Sequence, residues 1–172
     1  MTCLPIAEMG EPILRQVAQP VSVEDIPTPL FQAFLTDLID TLRDRRGVGI
    51  AAPQVFRSIR AIAIECQSNP RYPDIPAIPL QVLINPEILE RSPDDCSFIE
   101  GCLSVPERRG EVRRPDWIRV AAYNSAGQRL EFVATDFTAR ILLHEIDHLN
   151  GVLFVDRLIS SPVEAASVSP IS

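Results

Sequence analysis

Residues 137–150 of this chain read FTARILLHEIDHLN, and this stretch contains both histidines of the sequence, His144 and His148. The histidines are four positions apart, so on an α-helix both imidazoles project from one face and can bind one metal ion. Glu145 lies beside them, close enough to accept a proton from a water held by such an ion. The HExxH pattern therefore indicates a metal-dependent hydrolase.

The residues around this motif are too apolar for a surface helix. They include Ile141, Leu142, Leu143, Ile146 and Leu149. A helix that is hydrophobic nearly all round is a buried helix. Thr135 or Asp136 is the expected N-cap and Gly151 the expected end. We therefore predict a central, buried helix from about residue 137 to residue 150.

The remaining predicted elements alternate between helices and β-hairpins. Helical periodicity or strand-like alternation marks helices at 11–18 and 28–45, strands at 59–66 and 80–85, and a hairpin at 117–123 and 129–134. A long surface loop is predicted at 67–79, where prolines cluster. The pattern predicts an α+β fold, with antiparallel or mixed β-sheets wrapped around the central buried helix that carries the HExxH motif.

The composition suits one domain with a sizeable core. The chain has 172 residues, 46% of them apolar, with a net charge of −7. We expect a single catalytic domain over residues 1–159 and a flexible, Ser/Pro-rich C-terminal tail over residues 160–172. No broad basic stripe is present, so direct nucleic-acid binding is not expected.

The N-terminal sequence predicts a cytoplasmic protein. Residues 1–8 contain no basic leader and no continuous apolar stretch, and no run approaches the roughly 18 apolar residues that a membrane span needs. No membrane association is expected. The four cysteines, Cys3, Cys66, Cys96 and Cys102, are expected to be reduced thiols or metal ligands rather than disulfides.

Two histidines do not complete a catalytic zinc- or iron-type site, which needs a third protein ligand and an open position. Metzincin proteases use a third histidine, but Phe154 stands at that position. Thermolysin-like enzymes use a downstream glutamate, for which only Glu164, in the tail, is available. Cys102 is the better candidate, because Gly101 before it allows close backbone approach.

Three separated motifs resemble the peptide deformylase family, in content and in order. They are Gly47-Val48-Gly49-Ile50-Ala51-Ala52-Pro53-Gln54, Glu100-Gly101-Cys102-Leu103-Ser104 and His144-Glu145-Ile146-Asp147-His148-Leu149-Asn150-Gly151. The resemblance runs from the segment at Leu14 to about Leu158. Two features depart from the family pattern. Leu143 stands where glutamine usually precedes the first histidine, and the tail after Leu158 is short where many members carry a long C-terminal helix.

This resemblance implies removal of the N-formyl group from formyl-methionine at the N-terminus of newly made polypeptides. It implies Cys102, His144 and His148 as the metal ligands. Glu145 would accept the proton of the attacking water and pass it to the leaving amine. The side-chain amide of Gln54 and the backbone N–H of Leu103 would stabilise the oxyanion.

The resemblance also implies the substrate contacts and the metal. Val48 and Gly49 form an edge that pairs with the substrate backbone like an added β-strand. Arg109 borders the substrate channel; the alternative is a solvated arginine in a basic run. The implied cofactor is one divalent ion, Fe(II), with zinc, nickel or cobalt as substitutes.

The implied partners are N-formylmethionyl nascent peptides, in a bacterial-type or organellar compartment that initiates with formyl-methionine. Ribosome association is left open, without an evident basic C-terminal helix to mediate it.

Two other functions remain open from the sequence. An endopeptidase would need a cleft that accepts chain on both sides of the bond. A non-catalytic metal-binding module would need four protein ligands, and the sequence offers three convincing ones.

Overall fold

The computed structural model describes residues 3–67, 77–159 and 163–164. These residues form two α-helices and eight β-strands, numbered here in chain order. The strands form one five-stranded and one three-stranded sheet. Apart from single turns of 3-10 helix, the rest is loop.

The five-stranded sheet is antiparallel throughout. Its spatial order is β1 (Gly49–Ala51), β2 (Ala61–Cys66), β3 (Ile78–Arg91), β6 (Trp117–Tyr123) and β7 (Arg129–Thr135). The β6–β7 hairpin confirms the hairpin predicted from the sequence. Because β1 is at the edge, one side of its backbone is left unpaired by the described strands.

β3 continues well past the predicted end of the strand at residue 85. Asn85 has a left-handed φ of 50° and Pro86 lacks a backbone N–H, so a regular ladder cannot continue there. Both residues lie in a bulge, where the register with β6 shifts between Ile84 and Glu87. The side chain of Asn85 stabilises the bulge through hydrogen bonds to both backbone polar groups of Val21.

The three-stranded sheet consists of β4 (Asp95–Cys102), β5 (Val105–Pro115) and β8 (Val163–Glu164). β4 and β5 form a long hairpin that the sequence did not predict. β8 belongs to the segment predicted as a loose tail, and its backbone pairs with β5 at residues 108 and 109. The other residues of that tail, 160–162 and 165–172, lie outside the described residues.

α1 spans Pro29–Asp44 and confirms the helix predicted at 28–45. Its buried face consists of Phe31, Phe34, Leu35, Leu38, Thr41 and Leu42. This face packs in one hydrophobic cluster with Ile50 of β1 and Ile84 of β3. The hydroxyl of Thr28 donates to the Asp25 carbonyl at 2.6 Å and does not cap the helix.

α2 spans Asp136–Leu149 and carries both histidines. Residues 139–149 are all buried, and the helix contacts strands of both sheets. Arg60 binds its C-terminal end, donating to the Leu149 carbonyl at 3.3 Å and to Asn150 Oδ1 at 3.0 Å. Gly151 follows with φ of 72°, and a side chain there would run into the Arg15 carbonyl.

The predicted α+β class with antiparallel sheets is confirmed. The more specific prediction, that the sheets wrap around the HExxH helix as the centre of the molecule, stays a prediction. Among the described residues, no helix is both long and apolar enough to span a bilayer.

Of two further predictions, the helix at 11–18 is confirmed only in part, and the loop at 67–79 lies mostly outside the residues that the structure describes. The helix predicted at 11–18 is a 3-10 turn over Pro12–Arg15, because Gln16 already has extended backbone angles. The loop predicted at 67–79 falls mostly on residues 68–76, which lie outside the described residues.

Candidate metal and catalytic site

The three predicted metal ligands converge in the buried interior. The potential ligand atoms of Cys102, His144 and His148 all lie within 4.8 Å of one another. The Cys102 Sγ is 3.2 Å from the His148 Nε2. Each of the three residues is at most 3% exposed. No other cluster of this kind occurs within residues 3–67, 77–159 and 163–164.

Two elements bring these ligands together. α2 supplies His144 and His148 from successive turns, so their rings lie on one face with centroids 5.1 Å apart. Cys102 is the last residue of β4, where the pairing with β5 slips between Gly101 and Cys102. The slip and the turn that follows project the thiol from the sheet towards α2.

Glu100 orients the first histidine. The Nδ1–H of His144 donates to the Glu100 Oε2 at 2.9 Å, so Nε2 is the nitrogen that His144 presents to the cluster. Burial tends to raise the pKa of Glu100, but hydrogen bonds from Arg114 and His144 outweigh it and hold that pKa at about 2. Glu100 is therefore an ionised acceptor inside the fold.

Glu100 belongs to a network of ion pairs that is mostly buried. Arg114 of β5 binds both Glu100 oxygens, at 2.5 and 2.9 Å, and reaches the Asp147 Oδ2 at 2.8 Å. Arg157, beyond α2, also binds Asp147 through two hydrogen bonds, at 2.6 and 2.7 Å. Two carboxylates and two guanidinium groups thus tie β4, β5, α2 and the segment after α2 together.

The donor set fits a divalent metal ion. Burial alone would raise the pKa of the Cys102 thiol, but its electrostatic interaction with His148 and hydrogen bonds from both histidines lower it well below its usual value. In His144 burial lowers the pKa, and the hydrogen bonds to Cys102 and Glu100 outweigh this and raise it to about 10. A thiolate facing two imidazoles is a set that borderline-soft cations bind, and three ligands leave a position open.

Glu145 lies on the side of α2 that faces β1. Its carboxylate is fully buried, and neither oxygen has a hydrogen-bond partner in the described part of the chain. Burial raises the pKa of Glu145 to about 8. A Cβ at Gly49 would overlap the Glu145 Oε1, so only glycine lets β1 approach so closely.

Gln54 reaches the same cluster from a 3-10 turn over Ala52–Val55, directly after β1. Its Oε1 accepts the Ala51 N–H at 2.9 Å. Its Nε2 donates to the Ser104 Oγ at 3.2 Å and lies 3.6 Å from the Cys102 Sγ. The predicted oxyanion donor is fully buried and lies beside the predicted metal ligands.

The other predicted site residues fall around this cluster. Leu103 begins the turn between β4 and β5, one residue after Cys102. Val48 and Gly49 lie at the β1 edge. Arg109 is 6% exposed, with its guanidinium beside the Gly101 backbone, so the alternative of a solvated arginine is wrong.

The residues not chosen as ligands lie elsewhere. Cys66 is buried in the core of the five-stranded sheet, Cys3 is exposed and Cys96 is half-buried. The backbone of Glu164 pairs with Arg108 in the three-stranded sheet.

Sequence reasoning missed Glu100, Arg114, Asp147 and Ser104 as functional neighbours. Glu100, Ser104 and Asp147 were all quoted within motifs, but no role followed from their spacing. Arg114 lies close to Arg108, Arg109 and Arg113 in the sequence, a basic run that is typical of a solvated face. Its burial depends on acids 14 and 33 positions away in the chain, which no local pattern reveals.

A groove of about 630 Å³ lies apart from this site, between α1 and the five-stranded sheet. Leu35, Ile39 and Val82 are among its lining residues, and none of the site residues lines it.

Known proteins resemble the chain over nearly its whole length. Residues 3–163 match the family described as Polypeptide deformylase. Peptide deformylase 2 of Nostoc sp. is 44% identical, over 92% of this chain and 87% of that protein. A peptide deformylase of Leptospira biflexa is 42% identical, over 91% of this chain and 88% of that protein.

A solved structure shares the fold. The class I type b peptide deformylase of Acinetobacter baumannii, with Met-Ala-Ser bound, superposes with a TM-score of 0.88 and is 45% identical. The likeness covers 91% of this chain and 99% of that one.

Proposed function

This chain belongs to the peptide deformylase family and removes the N-formyl group from the N-terminal methionine of nascent peptides, and we propose how its residues do so. Cys102, His144 and His148 hold one divalent metal ion. Glu145 transfers the proton, and the Gln54 amide with the Leu103 backbone N–H stabilises the oxyanion. The observation that carries this proposal is the convergence of a thiol and two imidazoles within 4.8 Å beside a buried carboxylate.

The metal in this proposal is Fe(II), with zinc, nickel or cobalt as working substitutes. The ion supplies Lewis acidity, which water needs to attack an amide near neutral pH. The protein fixes the ligands: Glu100 holds the His144 ring by its Nδ1–H, at 2.9 Å. The mixed sulfur and nitrogen donors support a borderline-soft cation but do not choose among these four.

Glu145 transfers protons and is not a ligand of the metal. It follows His144 directly, so it leaves α2 about 100° away from that ligand and faces β1. Its two oxygens have no partner among the described residues, so neither must break a hydrogen bond before accepting a proton. The same carboxyl group then protonates the amine that leaves with methionine.

Gln54 and Leu103 stabilise the negative charge that develops on the carbonyl oxygen of the attacked formyl group. The Gln54 Nε2 lies 3.6 Å from the Cys102 Sγ, so this donor borders the metal ligands from the β1 side. Leu103 follows Cys102 at the start of a turn and borders them from the β4 side. Two fixed donors that converge on the attacked carbonyl oxygen would stabilise the oxyanion of a tetrahedral intermediate.

The substrate backbone pairs with β1. Ala51 directs its N–H to Gln54, away from β2, and residues two apart on a strand point the same way. The backbone groups of Gly49 therefore face the open edge, beside Glu145. An extended peptide added there would have its N-terminus at the metal ligands, with Val48 and Arg109 flanking its path.

The partners and location follow from this substrate. N-formylmethionyl nascent peptides are produced on ribosomes, so the protein works in a cytoplasm or organelle that initiates with formyl-methionine. We propose no membrane or nucleic-acid partner. Ribosome association stays open.

The test compares formyl-Met-Ala-Ser with acetyl-Met-Ala-Ser as substrates of the metal-loaded protein. Release of formate from the first, with no release of acetate from the second, is the expected result, because a small pocket admits formyl. Cleavage of an internal bond would support an endopeptidase. Metal binding with no hydrolysis would support a non-catalytic module.

A further inference from the structure

Ser104 is fully buried beside the proposed oxyanion donor. We propose that its hydroxyl is a positioning group, which holds the Gln54 side-chain amide in the orientation that stabilises the oxyanion. The inference rests on the proposed role of Gln54 and adds the residue through which that role is set. It is supported by the hydrogen bonds around the amide and by the backbone that carries the two residues.

The two ends of the Gln54 amide are distinguished by their partners. Oε1 accepts the backbone N–H of Ala51 at 2.9 Å. A flipped amide would place its NH₂ group against that N–H, two donors facing each other. The NH₂ group must therefore face Ser104 and Cys102.

The two hydrogens of that NH₂ group have partners of unequal strength. One points to the Ser104 Oγ at 3.2 Å, and the other to the Cys102 Sγ at 3.6 Å. In the proposed site the Cys102 thiolate shares its charge with the metal ion, which weakens its sulfur as an acceptor, whereas the Ser104 hydroxyl oxygen is a normal acceptor. When the oxyanion forms, the N–H that faces sulfur therefore gains the most hydrogen-bond strength by donating to it. The other N–H keeps its hydrogen bond to the Ser104 hydroxyl.

The backbone fixes the distance between Gln54 and Ser104 independently of the hydroxyl. The N–H of Ala7 donates to the Gln54 carbonyl at 2.7 Å, and that of Met9 donates to the Ser104 carbonyl at 2.7 Å. One N-terminal segment therefore binds both turns. Removing the Ser104 hydroxyl should free the amide and leave this framework in place.

The first measurement is steady-state deformylation by Ser104→Ala. We expect kcat to fall roughly 3- to 10-fold, the effect of one ordinary hydrogen bond, with KM within about twofold because the loss is specific to the transition state. Metal content should not change. The matched control is Ser92→Ala, which removes another buried serine hydroxyl, 3.0 Å from the Asp94 N–H, and should leave kcat unchanged. An unchanged kcat in Ser104→Ala would overturn the inference.

A double-mutant cycle with Gln54→Ala tests whether Ser104 acts through Gln54. In the Gln54→Ala background, adding Ser104→Ala should change kcat by less than about twofold. Equal losses in both backgrounds would make Ser104 a merely structural residue. If Gln54→Ala itself leaves kcat intact, the proposed role of Gln54 fails, which is a separate and recognisable result.

The orientation of the amide can also be observed directly, in the zinc-loaded protein by NMR. The Gln54 side-chain amide protons should exchange with solvent faster in Ser104→Ala than in the wild type or Ser92→Ala. Unchanged protection of these protons would contradict the positioning role, whatever the kinetics show.

Discussion

Glu145 is a buried carboxylate whose oxygens bind no group of the described chain. A buried carboxylate without hydrogen bonds costs free energy of folding, so such a group is retained where function needs it. Gly49 keeps β1 close against it, since a side chain at that position would overlap the carboxylate. The strand edge proposed to bind the peptide and the group proposed to move the proton are thus in contact.

We expect Glu145→Gln to keep its metal and lose turnover by at least roughly 10²-fold, the lower range for a positioned acid–base group. The amide has nearly the same size but cannot accept the proton. Metal analysis and formate release measure the two effects. Glu131→Gln, on the exposed side of β7, is the control and should retain full activity. Loss of metal together with activity would instead make Glu145 a ligand or a folding residue.

Cys102→Ala should abolish stoichiometric metal binding, because only His144 and His148 would remain as ligands. Elemental analysis of the purified variant measures this. Cys66→Ala removes another buried thiol, outside the cluster, and should retain about one ion per chain, as one such site implies. Full occupancy in Cys102→Ala would contradict the proposed ligand set.

At the scale of the elements, the site depends on how α2 is tied to the β4–β5 hairpin. Arg114 of β5 is the central link, because it binds Glu100 on β4 and Asp147 on α2. Asp147 lies between the two histidines in the sequence, and Glu100 lies two residues before the cysteine. The network therefore fixes the two elements that carry the proposed metal ligands relative to each other.

Arg114→Met should lower the free energy of unfolding by about 3–5 kcal/mol, since it leaves buried carboxylates with fewer partners. The matched control is Arg119→Met. Arg119 also binds two acids, Glu90 and Glu131, but in a more exposed setting, so the expected loss is below about 1 kcal/mol. Urea denaturation of both variants gives the comparison. Equal losses of unfolding free energy in the two variants would show that the buried network stabilises the fold no more than exposed ion pairs do.

The same elements show what the sequence could predict. α1 and the β6–β7 hairpin have local patterns: helical spacing in α1, and a turn with Asn124 and Gly127 between the strands of the hairpin. β5 has no such pattern, because Arg109 and Arg114 are buried where a strand normally buries apolar residues. The burial of Arg114 is offset by its ion pairs with Glu100 and Asp147, which are distant in the chain. The three motifs contain the proposed metal ligands, but they do not reveal the ion pairs that hold the elements carrying those ligands.

At the scale of the whole molecule, the site lies where separate parts of the chain meet. The β1 side supplies Gln54, the β4–β5 hairpin supplies Cys102, and α2 supplies the histidines. The chain beyond α2 then returns along β5: Leu158 pairs with Val112, the Ile159 N–H donates to the Glu111 carbonyl at 3.0 Å, and Val163 pairs with Arg109. The described part of the C-terminal segment thus borders a strand that flanks the site, and the flexible tail over residues 160–172 stays a prediction.

Deletion of residues 160–172 should therefore show whether this segment contributes to metal binding or to the stability of the sheet beside the site. Metal content should stay unchanged, because Glu164 is not a proposed ligand. The free energy of unfolding should fall by about 1–2 kcal/mol, the value of one or two hydrogen bonds, because the pairing of β8 with β5 is lost. KM should rise, by less than roughly 10-fold, since β8 lies beside Arg109, a proposed substrate contact.

Glu164→Ala is the matched control for this deletion, because it removes the side chain and leaves the backbone that pairs with Arg108. Its metal content, stability and KM should all match the wild type. Loss of metal in both the deletion and Glu164→Ala would make Glu164 the third ligand and remove Cys102 from that role. Loss of stability and a higher KM in the deletion alone, with metal retained in both, would assign the effect to the strand pairing. If the deletion leaves metal content, stability and KM unchanged, residues 160–172 are the loose tail that their composition predicts.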